Sequence, residues 1–108
     1  MNTTVVIPTV GRSTLVRAYL SIVSAAMYGP PSLKLHVIIS GDGIDEPSLA
    51  SKLQHIKLWD QTTFISNKSR EGAPAARNAG LALAKSPTVI FLDDDDYVLP
   101  DFFSAIKG

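Results

Sequence analysis

The sequence predicts an α/β domain built on a mostly parallel sheet with helices on both faces. Three observations carry that prediction. Short β-branched runs alternate with segments of helical spacing in a βαβαβαβ order, and strands joined through helices pair in parallel by right-handed crossovers. The run "LKLHVIIS" (33–40) is apolar almost throughout, as in a strand buried on both faces. The segments richest in Gly, Asp and Arg follow or face strand ends. Sheets of this class bind ligands there, beyond the carboxyl ends of the strands where strand order reverses.

The elements follow in order. "TTVVIP" (3–8) is a first strand ending at Pro8, and after "TVGR" the residues Leu15, Tyr19, Ile22, Val23 and Ala26 recur at helical spacing, with Ser13 as the expected N-cap. "YGPPS" (28–32) breaks that helix before the second strand. "GDGIDEPS" (41–48) is a turn opening a weaker helix around Leu49 to Leu53, and "HIKLWD" (55–60) and "TFIS" (63–66) supply one or two short strands. "NKSREGAP" (67–74) is a polar loop whose Pro74 suits a first helical turn. Ala75, Ala79, Ala82 and Leu83 then form a narrow face able to approach a sheet closely. "SPTVIFL" (86–92) is the last strand, and Pro100 begins a terminal helix, "PDFFSAIKG".

At 108 residues the chain is one domain, residues 1–108. Ten Lys and Arg balance ten Asp and Glu, which argues against the basic face that grips a nucleic-acid polymer. There is no cysteine, hence no disulfide framework or thiolate metal site. The opening "MNTTVVIPTV" lacks a basic segment followed by an apolar core, so no signal peptide is expected. Apolar runs fall short of the ~20 residues of a membrane span. The expectation is a soluble, cytoplasmic protein, with association at a membrane surface left open.

The chemistry centres on "VIFLDDDDYVLPDFF" (89–103), where four consecutive carboxylates follow an apolar strand. Adjacent carboxylates repel and must be hydrated or meet a cation. In extended backbone Asp93 and Asp95 would point one way and Asp94 and Asp96 the other. Mg²⁺ and Mn²⁺ take hard oxygen ligands and commonly share substrate phosphates. Arg12, Lys68, Arg70 and Arg77 are the cations available to phosphate oxygens. Alone, the acidic run is equally a solvated turn. In "SGDG" (40–43), Asp42 either caps the next segment or accepts from a base or ribose donor. Arg77 and Asn78 early in the alanine-rich helix are surface residues or ligand contacts, while His36 and His55 lack acidic or histidine partners at metal-ligand spacing, Trp59 stands alone, and all three are expected to be structural.

With these motifs in order, the chain resembles the nucleotide-binding half of a family 2 glycosyltransferase of the GT-A, Rossmann-like fold. "VVIPTVGR" is similar to that family's first strand and loop, and "HVIISGDG" to its second strand with a base-contacting Asp. "GAPAARNAGLALAKS" is similar to its G-x-x-x-ARN-x-G helix, and "VIFLDDDDYVLPDFF" to its FLDxDD…P element. The resemblance implies a nucleotide-diphosphate sugar as donor, with UDP the commonest carrier, and Mn²⁺ or Mg²⁺ as cofactor. It implies Pro8, Thr9 and Arg12 near the nucleotide, Asp42 on the base, Arg77 on the donor, Asp93 and Asp95 as the DxD that holds ribose and metal, and Asp96 beside the donor sugar or supporting the turn. Gly41 stands where the family's "DDGS" turn often has its first Asp.

Inverting members take a general base from well beyond the DxD, whereas here Gly108 follows Asp96 by twelve residues. The resemblance therefore implies a truncated fold without the acceptor-binding half or the base, weak or absent transfer by this chain alone, and a completing partner chain or homo-oligomer. A binding or assembly module that keeps the nucleotide cleft without transfer is the alternative. Two others are weaker. "DYVLPD" (96–101) is similar to a receiver-domain loop with Asp96 as phosphoacceptor, but "PTVGR" lacks the acidic pair that fold places after its first strand. "DDDYV" (94–98) matches the DxDx[TV] nucleophile motif of haloacid-dehalogenase-like phosphatases with Asp94 as nucleophile, but that motif normally follows the first strand.

Overall fold

The computed structural model describes residues 2–54 and 61–106. Four strands and four helices alternate: β1 (Asn2–Thr9), α1 (Thr14–Met27), β2 (Lys34–Asp42), α2 (Glu46–Lys52), β3 (Thr62–Asn67), α3 (Ala73–Leu83), β4 (Thr88–Phe91) and α4 (Phe102–Ile106). The strands form one sheet in the order β3-β2-β1-β4, every pairing parallel. The chain moves from β1 outward to β3, then returns to place β4 on the other side of β1. Strand order thus reverses between β1 and β4.

Alternation along the strands divides the sheet into two faces. Val5 and Ile7 of β1 join Val37 and Ile39 of β2 in a core with Leu15, Tyr19 and Ile22 of α1, Leu49 of α2 and Phe103 of α4. Burying each such aliphatic or aromatic side chain stabilises the fold by about 1.5–3 kcal/mol. The opposite face carries Val6 and Ser40, against α3. Ser40 donates its hydroxyl to the Ala76 carbonyl at 2.8 Å. β2 is buried along its length except at Lys34 and, in part, His36, the pattern of a central parallel strand. β4 is an edge strand and leaves Phe91 44% exposed.

The structure bears out the expected parallel α/β order and corrects three local expectations. Ser13 does not cap α1: its backbone is already helical (φ −61°, ψ −26°) and its side chain makes no capping bond, whereas a capping side chain needs an extended residue behind it. Asp45 does that work for α2, with ψ 158° and a carboxylate accepting from Ser48 N at 2.8 Å. The close face of α3 is Ala76 and Gly80, not Ala75, Ala79, Ala82 and Leu83; Ala82 and Leu83 are exposed. A β-carbon at Gly80 would collide with Cγ1 of Val6, so the missing side chain decides which face docks. Pro100 lies in a turn before α4, which starts at Phe102. "TFIS" forms most of β3; "HIKLWD", with His55 and Trp59, lies outside the described residues. Among the described residues no helix is long and apolar enough to cross a membrane.

Candidate functional site

A cleft of about 260 Å³ opens at the carboxyl ends of the strands, where β1 and β4 diverge. Four segments that are far apart in sequence line it: Pro8, Thr9, Val10 and Arg12 at the end of β1 and in the loop that follows, Asp42 ending β2, Ala73, Ala76 and Arg77 at the start of α3, and Asp93 to Asp95 after β4. Pro8, Thr9, Arg12, Asp42, Arg77, Asp93 and Asp95 were all expected at one edge from sequence, and the fold brings them together. Of the expected cations only Arg12 and Arg77 line the cleft; Lys68 and Arg70 are exposed in the loop before α3. Asn78 is also exposed.

The β1 side is built from a short chain of hydrogen bonds. Gly11 adopts φ +90°, a conformation that favours glycine, and the loop folds back so that Gly11 N–H donates to Thr9 Oγ1 at 2.9 Å. The Thr9 hydroxyl in turn donates to Asp94 Oδ2 at 2.7 Å. Arg12 then extends over the acidic turn, 3.9 Å from Asp94 and 3.7 Å from Asp95.

Asp42 ends β2 almost fully buried. Its carboxylate accepts from Glu71 N at 2.6 Å and Gly72 N at 2.9 Å, while Gly43 N–H donates to the Asn67 carbonyl at 3.0 Å. Asp42 thus fastens the loop that delivers α3, and it does not cap α2. Each of its oxygens already holds one main-chain bond. Gly41 also has a physical reason: a β-carbon there would lie 2.7 Å from Leu49 Cδ1 and 2.9 Å from the Ile44 carbonyl. No second carboxylate fits at that position.

The acidic segment does not run extended. Asp96 N–H donates to the Asp93 carbonyl at 3.0 Å, closing a turn of the kind Asp favours at its first position. The expected alternation holds for Asp93, Asp94 and Asp95 and fails at Asp96, which the turn brings to the side of Asp93 and Asp95. Carboxylate oxygens of Asp93, Asp95 and Asp96 all come within 4.8 Å of one another, and Asp94 alone is buried, held by Thr9. A buried, hydrogen-bonded Asp94 is a poor candidate for an attacking nucleophile. Arg77 Nη2 lies 3.4 Å from Asp93, and Arg17 donates to the Asp95 carbonyl at 2.8 Å. Three exposed carboxylates within common reach are hard oxygen donors suited to Mg²⁺ or Mn²⁺, so the residues fit a divalent cation.

Opposite the acids, α3 begins at Ala73 after Gly72 (φ +100°), with Pro74 in its first turn. Ala73 and Ala76 leave the cleft wall low, and the helix start presents main-chain N–H groups that favour anions. Sequence reading missed Ala73, Ala76 and Arg17, and took Asp94 only as the nucleophile of an alternative reading. Nothing in the sequence pointed to the bond between Asp94 and Thr9.

The model of the family described as "Glycosyl transferase family 2" matches residues 4–106. Among solved structures, the chain is similar to residues 1–349 of TarS from S. aureus, with TM-score 0.70 and 19% identity over 97% of this chain and 31% of that one. The same TarS fragment in complex with UDP-GlcNAc gives TM-score 0.69 at 19% identity, over 97% of this chain and 30% of that one. Its complex with UDP gives 0.63 at 19% identity, with the same coverage. At that identity the likeness concerns the fold, and the chain spans about a third of the length of these structures. No curated protein matches the chain.

Proposed function

The chain belongs to glycosyl transferase family 2, and on that premise we propose that its cleft binds a nucleotide-diphosphate sugar with a divalent cation, as the donor half of an inverting glycosyl transfer. One observation carries this reading: two guanidinium groups, Arg12 and Arg77, and the carboxylates of Asp93 and Asp95 line a single cleft at the sheet's switch point, with a carboxylate oxygen of Asp96 within 4.8 Å of theirs. Cations alone would suit a simple anion, and carboxylates alone a metal. Together they suit a diphosphate that brings its own metal.

In this reading Asp93 and Asp95 hold Mn²⁺ or Mg²⁺, and the turn brings Asp96 to their side. When bound, the ion neutralises charge developing on the departing nucleotide diphosphate. Arg12 and Arg77, now turned to the acids, redirect toward phosphate oxygens, helped by the start of α3. Pro8 and Thr9 form the floor. Asp42 faces the nucleoside and fixes the loop beneath it. A uridine nucleotide is the first choice, supported by the UDP and UDP-GlcNAc complexes of TarS. Inversion requires a base on the acceptor hydroxyl, a role assigned to none of the described residues.

Calorimetric titration of UDP, GDP, dTDP and CDP, with and without Mn²⁺, tests the donor site. Metal-dependent binding of one nucleotide, lost in Asp95→Ala, is the expected result; no binding under any condition overturns the reading. Release of nucleotide from a UDP-sugar only when an acceptor is supplied separates transfer from binding alone.

A further inference from the structure

We propose that Thr9 and Asp94 form a positioning latch across the switch point, which sets the gap between Arg12 and the carboxylates of Asp93, Asp95 and Asp96. Its effect on binding rests on the donor-site reading above; the latch itself rests on geometry. Thr9 is 4% and Asp94 7% exposed, and they are 85 residues apart in sequence. A hydroxyl offers one proton and two lone pairs. The Thr9 proton goes to Asp94, and one lone pair receives Gly11 N–H. That group is therefore committed to the protein on both sides.

The consequence lies in what flanks each partner. Asp94 sits between Asp93 and Asp95, so anchoring its side chain inward turns its neighbours outward to the cleft. Gly11 immediately precedes Arg12, so the bond it makes fixes where that guanidinium starts. One chain of hydrogen bonds, Gly11 to Thr9 to Asp94, thus holds the basic loop and the acidic turn in register. Arg12 spans the join, 3.9 Å from Asp94 and 3.7 Å from Asp95. Thr9 and Asp94 act here as positioning residues, without contacting the ligand through these groups.

Thr9→Val is nearly isosteric and removes only the hydroxyl, and Thr9→Ser keeps it. Amide hydrogen exchange by NMR gives a readout without ligand. The Asp96 N–H, bonded to the Asp93 carbonyl, reports on the turn, and the Leu92 N–H, bonded to the Val6 carbonyl, reports on the sheet. Losing one buried hydrogen bond should speed Asp96 exchange about tenfold in Thr9→Val, with Thr9→Ser like wild type and Leu92 unchanged in all three. Equal Asp96 exchange in Thr9→Val and wild type overturns the latch, as does an equal loss in Thr9→Ser. Should Thr9→Val fail to fold, Thr9→Val/Asp94→Val, which removes the stranded carboxylate, decides: recovered folding supports the latch, and no recovery overturns it. In calorimetry with Mn²⁺, the UDP Kd should rise about tenfold in Thr9→Val and stay within about twofold in Thr9→Ser; an unchanged Kd in Thr9→Val overturns the link to binding. Absence of UDP binding in wild type would sink the donor-site reading while the exchange comparison still decides the latch.

Discussion

A single absent β-carbon determines what the end of β2 can hold. At Gly41 any side chain would run into Leu49 and Ile44, so Asp42 carries the carboxylate at that end of β2. Position 42 was legible in the sequence as a ligand-edge Asp because glycines flank it. Its partners were not legible: Glu71 and Gly72 contribute main-chain N–H groups, which no side-chain pattern advertises. His36 is a simpler case. Its ring shares a 2.7 Å hydrogen bond with Thr63, in keeping with the structural role expected of it. Burial holds its pKa below the ordinary 6.5. Between that lowered value and 6.5 the unfolded chain binds more protons than the folded one, so stability should fall as pH drops through this window and be full above it. Urea unfolding at pH 7.5 and 5.5 should show a loss on acidification that shrinks in His36→Gln. An equal loss in the variant would remove His36 from the account.

Among elements, α3 matters most to the site, since it carries Arg77 and faces the acidic turn. Its approach to the sheet depends on Gly80, where a β-carbon would strike Val6, and on the bond from Ser40 to Ala76. The alanine-rich sequence supports several helix faces equally well, which is why periodicity selected the neighbouring one. Gly80→Ala sets two effects against each other. Helix propensity favours Ala by about 1 kcal/mol, while forcing a methyl into a packed interface typically costs about 1–3 kcal/mol. Because Val6 is fully buried in a central strand and cannot move aside cheaply, the packing loss should win, by about 1 kcal/mol. A lower denaturant midpoint for Gly80→Ala, largely restored by Val6→Ala, is the expected result. An unchanged or raised midpoint would show that α3 can slide on the sheet.

At the scale of the molecule, the reversal of strand order between β1 and β4 turns four dispersed motifs into one cleft. The parallel class and the converging segments were legible from alternation and strand-end composition, because both follow from local pattern. The fold of the acidic turn was not, since extended and turned backbones suit four Asp equally and the choice is made by Thr9, far away in sequence. The same arrangement sets how the whole domain should respond to ligand. The formal charge is zero, so no strong net field draws nucleotide in, and affinity must arise inside the cleft. There Asp93 and Asp95 line the wall with Asp96 close beside them, and Arg77 and Arg12 offset Asp93 and Asp95; among the described residues no cation is within ion-pair distance of Asp96. A divalent ion with a nucleotide diphosphate would meet both sets of charges and bind the folded chain alone. Ligand at a hundredfold excess over Kd then stabilises the fold by about 2.7 kcal/mol, which for a domain of this size raises Tm by on the order of 10 °C. Thermal melts with UDP and Mn²⁺ together should show that rise, Mn²⁺ alone a smaller one, and Asp95→Ala neither. The same rise in Asp95→Ala would place the metal and nucleotide elsewhere on the molecule.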